Sequence, residues 1–208
     1  MNALGIAKSL NEVKYYLMVR PCPACGKGPR SLSEAALAAQ AGQAVVAAVH
    51  CARCGQSEEL SFRCEHACPA DGPGAETINP AAEPSRLVDL SQWLSLFYLL
   101  LESSWRAEGG PAVRQDGFRA ALCLAEALKF YGDDELPPAR AFFSPEGQAA
   151  FRDHPEKFAR QRLRDMQSRL PSLPRMAQRT DRDKARRRRR WWQFWKPAHE
   201  RSRKPHAS

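Results

Sequence analysis

Two short cysteine turns near the N-terminus constrain the fold of this chain more than any other feature. Cys22-Pro23-Ala24-Cys25-Gly26 is matched by Cys51-Ala52-Arg53-Cys54-Gly55, with 25 residues between Cys25 and Cys51. Two cysteines separated by two residues can hold one metal ion from a single turn. Four thiolates in two such pairs complete a closed tetrahedral site. Gly26 and Gly55, one after each second cysteine, suit a turn with positive φ that aims backbone N–H groups at the sulfurs. The N-terminal third is therefore expected to fold around a metal held by Cys22, Cys25, Cys51 and Cys54. The competing readings of the same cysteines are disulfides or a coincidence of spacing.

The flanking residues predict strands. Val13 to Val19 is β-prone and runs into the first turn, and Ala44 to Val49 runs into the second, with Ala41-Gly42-Gln43 as a bend before it. Glu59 to Arg63 is a candidate third strand. Ser33 to Gln40 has helical propensity, which shortens any strand leaving the first turn. Turn, strand, bend, strand, turn, strand resembles a zinc ribbon over roughly residues 13–68. The resemblance implies a zinc ion on the four cysteines. Iron is the alternative, because rubredoxins use the same paired turns; no run of aromatic residues around them suggests a rubredoxin core. Cys64, His66 and Cys68 offer three more donors, but their short spacing has no evident fourth, so Cys64 and Cys68 are read as lying outside the main site. His50 beside Cys51 could serve only if the fold brought it round. Cys123 reads as a small apolar residue in a helix.

The chain of 208 residues has room for one ordinary domain and a small module. Residues 69–86 are rich in proline and glycine and read as a linker. Leu87, Leu90, Leu94, Phe97 and Leu101 then recur at helical spacing, and Gly109-Gly110-Pro111 ends that helix. A second helix is expected from about Ala112 to Tyr131, with Phe118, Leu122, Ala125 and Leu128 inward. The short link between these two helices predicts an antiparallel pair. Ser144-Pro145-Glu146 supplies a cap, a first-turn proline and an acid for a third helix, and a last helix is expected from about Pro155 to Leu170.

No phosphate loop, dinucleotide fingerprint, His-Glu-x-x-His pair or Gly-x-Ser-x-Gly elbow occurs in the sequence. Asp133, Asp134 and Glu135 read as a solvated acidic turn, and His154 as a surface residue at a helix boundary. A four-cysteine site leaves no open position for substrate. These features point away from an enzyme, and no small-molecule substrate is evident.

The net charge of +9 is unevenly placed. Residues 175–208 hold 13 Lys/Arg and 3 Asp/Glu, a net of +10, leaving 19 and 20, a net of −1, for residues 1–174. Within the tail, Arg186, Arg187, Arg188, Arg189 and Arg190 run directly into Trp191, Trp192 and Trp195. Arginines and rings together suit nucleic acid, through phosphates and stacked bases, and equally an anionic membrane surface. A third reading has the rings packing on the protein's own helices.

The expected fold class is α+β: a zinc-ribbon-like β module (1–68), a linker (69–86), a helical domain (87–170) and a disordered basic-aromatic tail (171–208). The expected function is non-enzymatic binding or adaptor work, contacting nucleic acid through the ribbon and tail, with a peripheral membrane scaffold as the alternative and a protein partner also possible. The N-terminal segment does not resemble a signal peptide, and metal-bound thiols suit a reducing compartment, so the cytoplasm is expected.

Overall fold

A computed structural model describes residues 3–32, 44–66, 76–106, 111–176, 178 and 182–183. The fold is mixed α+β. Its elements are β1 (Ala3–Ala7), α1 (Leu10–Val19), β2 (Arg30–Leu32), β3 (Ala44–Cys51), β4 (Ser57–Cys64), α2 (Leu90–Arg106), α3 (Pro111–Leu128), α4 (Pro145–Asp153) and α5 (Arg160–Ser168). Two 3-10 turns, Ala139–Ala141 and Pro155–Phe158, lie before and after α4. Among the described residues, no helix is long and apolar enough to cross a membrane.

The sheet has the order β1-β4-β3-β2. β3 and β4, which cover the expected strands Ala44 to Val49 and Glu59 to Arg63, pair as an antiparallel hairpin, and β2 pairs antiparallel with β3. β4 alternates as a half-buried strand should: Leu60, Phe62 and Cys64 face the core while Glu59 and Arg63 face solvent. β1 runs parallel to β4, a pairing between residues almost sixty positions apart that local sequence does not announce.

The run from Val13 to Val19, expected as a strand, is instead the body of helix α1. The reason is local. Ser9 caps the helix by accepting the backbone N–H of Glu12 at 3.2 Å. The Glu12 carboxylate in turn accepts the backbone N–H of Lys8. This is a variant of the capping box, and Ser9-x-x-Glu12 is its signature in the sequence. Leu10, Val13 and Leu17 then fall on one buried face at three- and four-residue steps, which outweighs the β propensity of the valines and tyrosines.

α2 and α3 form the expected hairpin, joined near their connection by the Ser103 hydroxyl donating to the Asp116 carboxylate at 2.9 Å. Leu90, Trp93, Leu96 and Phe97 of α2 and Ala120, Cys123, Leu124 and Ala127 of α3 are its most enclosed residues. Leu122, Ala125 and Leu128, expected inward, are only half-buried. One hydrophobic core runs without a break from α1 and the sheet into these helices, and Tyr15 meets Trp93 with ring centroids 5.8 Å apart.

Residues 76–86, read as linker from composition, are tied to both sides of that core. Ile78 is buried, and its carbonyl accepts the Ser9 hydroxyl. Asn11 donates to the Thr77 carbonyl at 3.0 Å, and the Lys129 ammonium of α3's end donates to the carbonyls of Asn79 (2.8 Å) and Ala81 (3.0 Å). Proline-rich composition indicates only that a segment is irregular; here the exposed polar backbone finds partners on α1 and beyond α3.

Two buried carboxylates lie along this contact. Glu12 is 0% and Glu126 6% exposed, and each keeps one carboxylate oxygen without a hydrogen-bond partner. Burial pushes the Glu12 carboxyl upward against its bonds from Ser85 and Lys8. Burial likewise pushes Glu126 up to about 7, against the Lys129 ammonium 2.8 Å away, while the nearby Glu12 adds to the rise. A third carboxylate, buried Asp89, closes two helix ends. Its Oδ1 accepts the Ser91 hydroxyl (2.8 Å) and the Gln92 N–H (2.9 Å) at the start of α2, and the Gln92 side chain returns a bond to the Asp89 N–H at 3.0 Å. Its Oδ2 accepts the N–H (2.9 Å) and hydroxyl of Ser144, the residue that caps α4. Gly147 stands here because a Cβ at that position would come within 2.6 Å of Asp89 Oδ2.

Two outcomes are expected. Asp89→Ala strands several buried donors at once and should lower unfolding stability by about 3 kcal/mol in denaturant melts. A carboxyl whose pKa is raised by folding binds its proton more tightly in the native state. Its contribution is therefore complete below the ordinary value of 4.5 and is lost as pH rises to about 7. Glu126→Gln should flatten the fall in stability of the parent protein between those limits, by up to ~3 kcal/mol at its upper end, measured from melts of both proteins at matched pH.

Candidate metal centre

Both cysteine turns are built the same way. In the first, the Cys22 N–H donates to the Lys27 carbonyl at 2.7 Å and the Gly26 N–H to the Cys22 carbonyl at 2.8 Å. In the second, the Cys51 N–H donates to the Gln56 carbonyl and the Gly55 N–H to the Cys51 carbonyl, both at 2.9 Å. Gly26 and Gly55 have φ of 65° and 74°. No atom crowds the place where a Cβ would stand at either glycine, so it is the left-handed backbone that calls for glycine there.

Tertiary structure brings the turns together. The first follows α1, and the second is the tip of the β3–β4 hairpin. Pairing of β2 with β3 sets Arg30 opposite Cys51, and the Ala52 N–H donates to the Pro29 carbonyl at 3.0 Å. The four expected ligands converge: Cys22, Cys25, Cys51 and Cys54 have their sulfurs all within 4.8 Å of one another. The Cys22–Cys54 and Cys25–Cys51 sulfur pairs are 3.7 and 3.8 Å apart. A tetrahedron with metal–sulfur bonds of about 2.3 Å has edges of about 3.8 Å. The cysteines are free thiols, not disulfides. Their geometry is that of a four-thiolate metal site.

The site sits at the end of the sheet, with Cys22 and Cys51 buried, Cys25 half-buried and Cys54 exposed. Backbone N–H groups of Cys54 and Arg53 bring the Cys51 thiol down to about 6. Cys54 moves the other way, to about 11: the Gln56 N–H acts to lower it, but desolvation and the surrounding thiols of Cys25, Cys51 and Cys22 outweigh that bond. A metal cation binding here would displace the thiol protons, because thiolates are the ligands.

The other candidate donors lie elsewhere. Cys64 is buried on the core face of β4, away from the four. His66 is exposed, and Cys68 falls outside the described residues. His50 points its Nδ1 to the Ser57 hydroxyl at 2.7 Å. Cys123 is enclosed in α3, where burial pushes its thiol well above the usual range. The acidic turn Asp133, Asp134 and Glu135 is exposed, and the Glu135 carboxylate also accepts the Gln161 N–H at 2.9 Å at the start of α5. His154 ends α4 on the surface. The tail candidates Arg186–Arg190, Trp191, Trp192 and Trp195 lie outside the described residues. Just before them, Asp183 accepts two bonds from the Arg114 guanidinium, at 2.6 and 2.9 Å, which places this part of the chain on α3.

The pure protein is expected to hold one metal ion per chain. Chelation should expose four thiols to a titrating reagent while Cys64 and Cys123 stay protected. Cys25→Ser should abolish stoichiometric loading, and cobalt substitution should show the absorption of a tetrahedral thiolate site in the parent only.

No family model matches the chain, and comparisons with curated proteins and with solved structures find no match either.

Proposed function

We propose that this chain is a zinc-stabilised, non-enzymatic binding protein of the reducing cytoplasm that contacts nucleic acid through its ribbon-like cysteine module and its basic tail. The observation that carries the reading is the separation of charge: a net of +10 in residues 175–208 beside a net of −1 in residues 1–174. A polyanion is the partner that such a tail attracts most strongly, because each arginine that meets a phosphate releases a condensed counterion. Trp191, Trp192 and Trp195 directly after the arginines add flat rings on which unpaired bases can stack. Zinc is favoured over iron for the cysteines by the absence of an aromatic cluster around them in sequence. The exposed Lys27, Arg53 and Arg63 of the cysteine module are cations on the same part of the chain.

A second reading rests on the same contiguity of arginines and tryptophans, which also suits an anionic bilayer: guanidinium groups at the head groups and indoles in the interface.

On single strands, affinity should fall with salt with a logarithmic slope of about −3.5 if all five arginines engage phosphates. The full-length variant with Trp191, Trp192 and Trp195 replaced by alanine should lose more affinity for single strands than for duplex. Vesicle flotation checks the second reading. Binding that requires anionic lipid and vanishes in the same variant, with no nucleic-acid binding, would replace the first reading by the second.

A further inference from the structure

The helical part of the molecule carries a cleft that neither the cysteine site nor the tail explains. Residues 83–86, the turn after α3, and the segment around the Ala139–Ala141 turn enclose about 630 Å³. That is within the range of small-ligand sites, roughly 300–1,000 Å³. Its charge is one-sided. Arg86, Lys129 and Arg140 line it, against Glu83 alone. The rest of the body is close to neutral, so this is a local concentration of cations.

The three cations differ in what they already do. Lys129 is engaged with the Asn79 and Ala81 carbonyls and with Glu126. Arg86 and Arg140 are exposed and make no hydrogen bond or ion pair with other described residues; Arg86 acts only through space on the exposed Glu65, adding to the Lys8 bond that holds that carboxyl below its usual range. An aromatic ring lies in the same wall with a similar vacancy of partners. Phe142 is buried and stacked on Phe151 with centroids 4.4 Å apart, as a core residue should be. Phe143, its neighbour, lines the cleft and is 43% exposed.

We propose that this cleft binds a nucleotide, free or at the end of a strand, with its base on Phe143 and its phosphate held by Arg86 and Arg140. The chemistry follows from the side chains. A guanidinium offers paired N–H donors that match two phosphate oxygens, and an exposed ring offers a face to a base. An acidic peptide would satisfy the arginines and leave the ring unused. The cleft's lining residues all precede the tail in sequence, so the proposal stands whether or not the tail binds nucleic acid.

Calorimetric titration of the full-length protein with adenosine monophosphate tests the proposal, with adenosine and inorganic phosphate as separate arms. The nucleotide should bind, and each half alone should bind at least about tenfold more weakly. Arg86→Gln with Arg140→Gln should weaken nucleotide binding by about tenfold or more. Phe143→Ala should weaken it by at least about fivefold. All three residues are exposed, so melting should be unchanged and loss of binding cannot be mistaken for unfolding. A 5′-phosphorylated oligothymidine arm identifies the source: tighter binding than the monophosphate, lost in the same variants, means a strand end, and the reverse order means a free nucleotide. The cleft proposal is overturned if neither ligand is affected by these variants, or if a short polyglutamate peptide competes as well as the nucleotide. The tail variant keeps the two ideas apart. Oligonucleotide binding lost on replacing Trp191, Trp192 and Trp195 but indifferent to Arg86, Arg140 and Phe143 removes the cleft and leaves the tail. The opposite pattern removes the tail reading and leaves the cleft.

Discussion

Four sulfurs gathered within 4.8 Å cannot all be ionised unless a cation sits among them, and this constraint organises the N-terminal half of the molecule. It requires two turns of the same shape to meet at a short distance. Each turn supplies the shape locally through a left-handed glycine and two backbone hydrogen bonds. The meeting is supplied by the sheet: β2, only three residues long, carries the first turn to β3, whose hairpin with β4 carries the second. A strand so short would be marginal without a further link, and the paired cysteine turns meet at its end.

The cysteine module does not stand on its own. α1 hands its apolar face to the sheet on one side and to Trp93 and its neighbours on the other, so the core of the module is also the core of the helical part. Along this contact the polar groups are enclosed as well. Glu12 with Ser85, and Asn79 with Glu126 and Lys129, form two bonded sets along α1, the segment 76–86 and the end of α3, and the two carboxylates act on each other only through repulsion. Polar networks of this kind are costly to break, because any member left alone stays buried. That gives the segment between cysteine module and helices a structural role that its composition conceals. It also makes the contact sensitive to proton concentration near neutrality.

The charge of the chain and its architecture divide the work in different places. The structured body is nearly neutral, and its stability comes from apolar packing and a handful of buried carboxylates. Cations that could meet a polyanion lie in the tail and, within the body, on the cysteine module (Lys27, Arg53, Arg63) and around the cleft that holds Arg86 and Arg140. Trp93 illustrates the contrast. It is enclosed in the core, with its indole N–H lacking a partner, whereas Trp191, Trp192 and Trp195 belong to a segment dominated by arginine. Tryptophan in the first setting stabilises the fold; in the second it stands in sequence beside a run of cations.

The features readable in the sequence were those encoded over a few residues. The cluster of Cys22, Cys25, Cys51 and Cys54, the strands β3 and β4, the α2–α3 pair and the Ser144-Pro145 start of α4 all follow from short-range spacing, alternation or capping. The helix over Leu10–Val19 was also written there, in Ser9-x-x-Glu12, but β propensity in the tyrosine- and valine-rich run masked it. What only the tertiary structure decided depends on contacts between distant residues. The parallel pairing of β1 with β4 joins segments almost sixty residues apart. Asp89 becomes a double cap only when α4 arrives beside α2, and Arg86 and Arg140 become neighbours of one cleft only when the turn after α3 folds back. Such pairings cost chain entropy and are selected by burial over the whole core, a quantity that no short window of sequence contains.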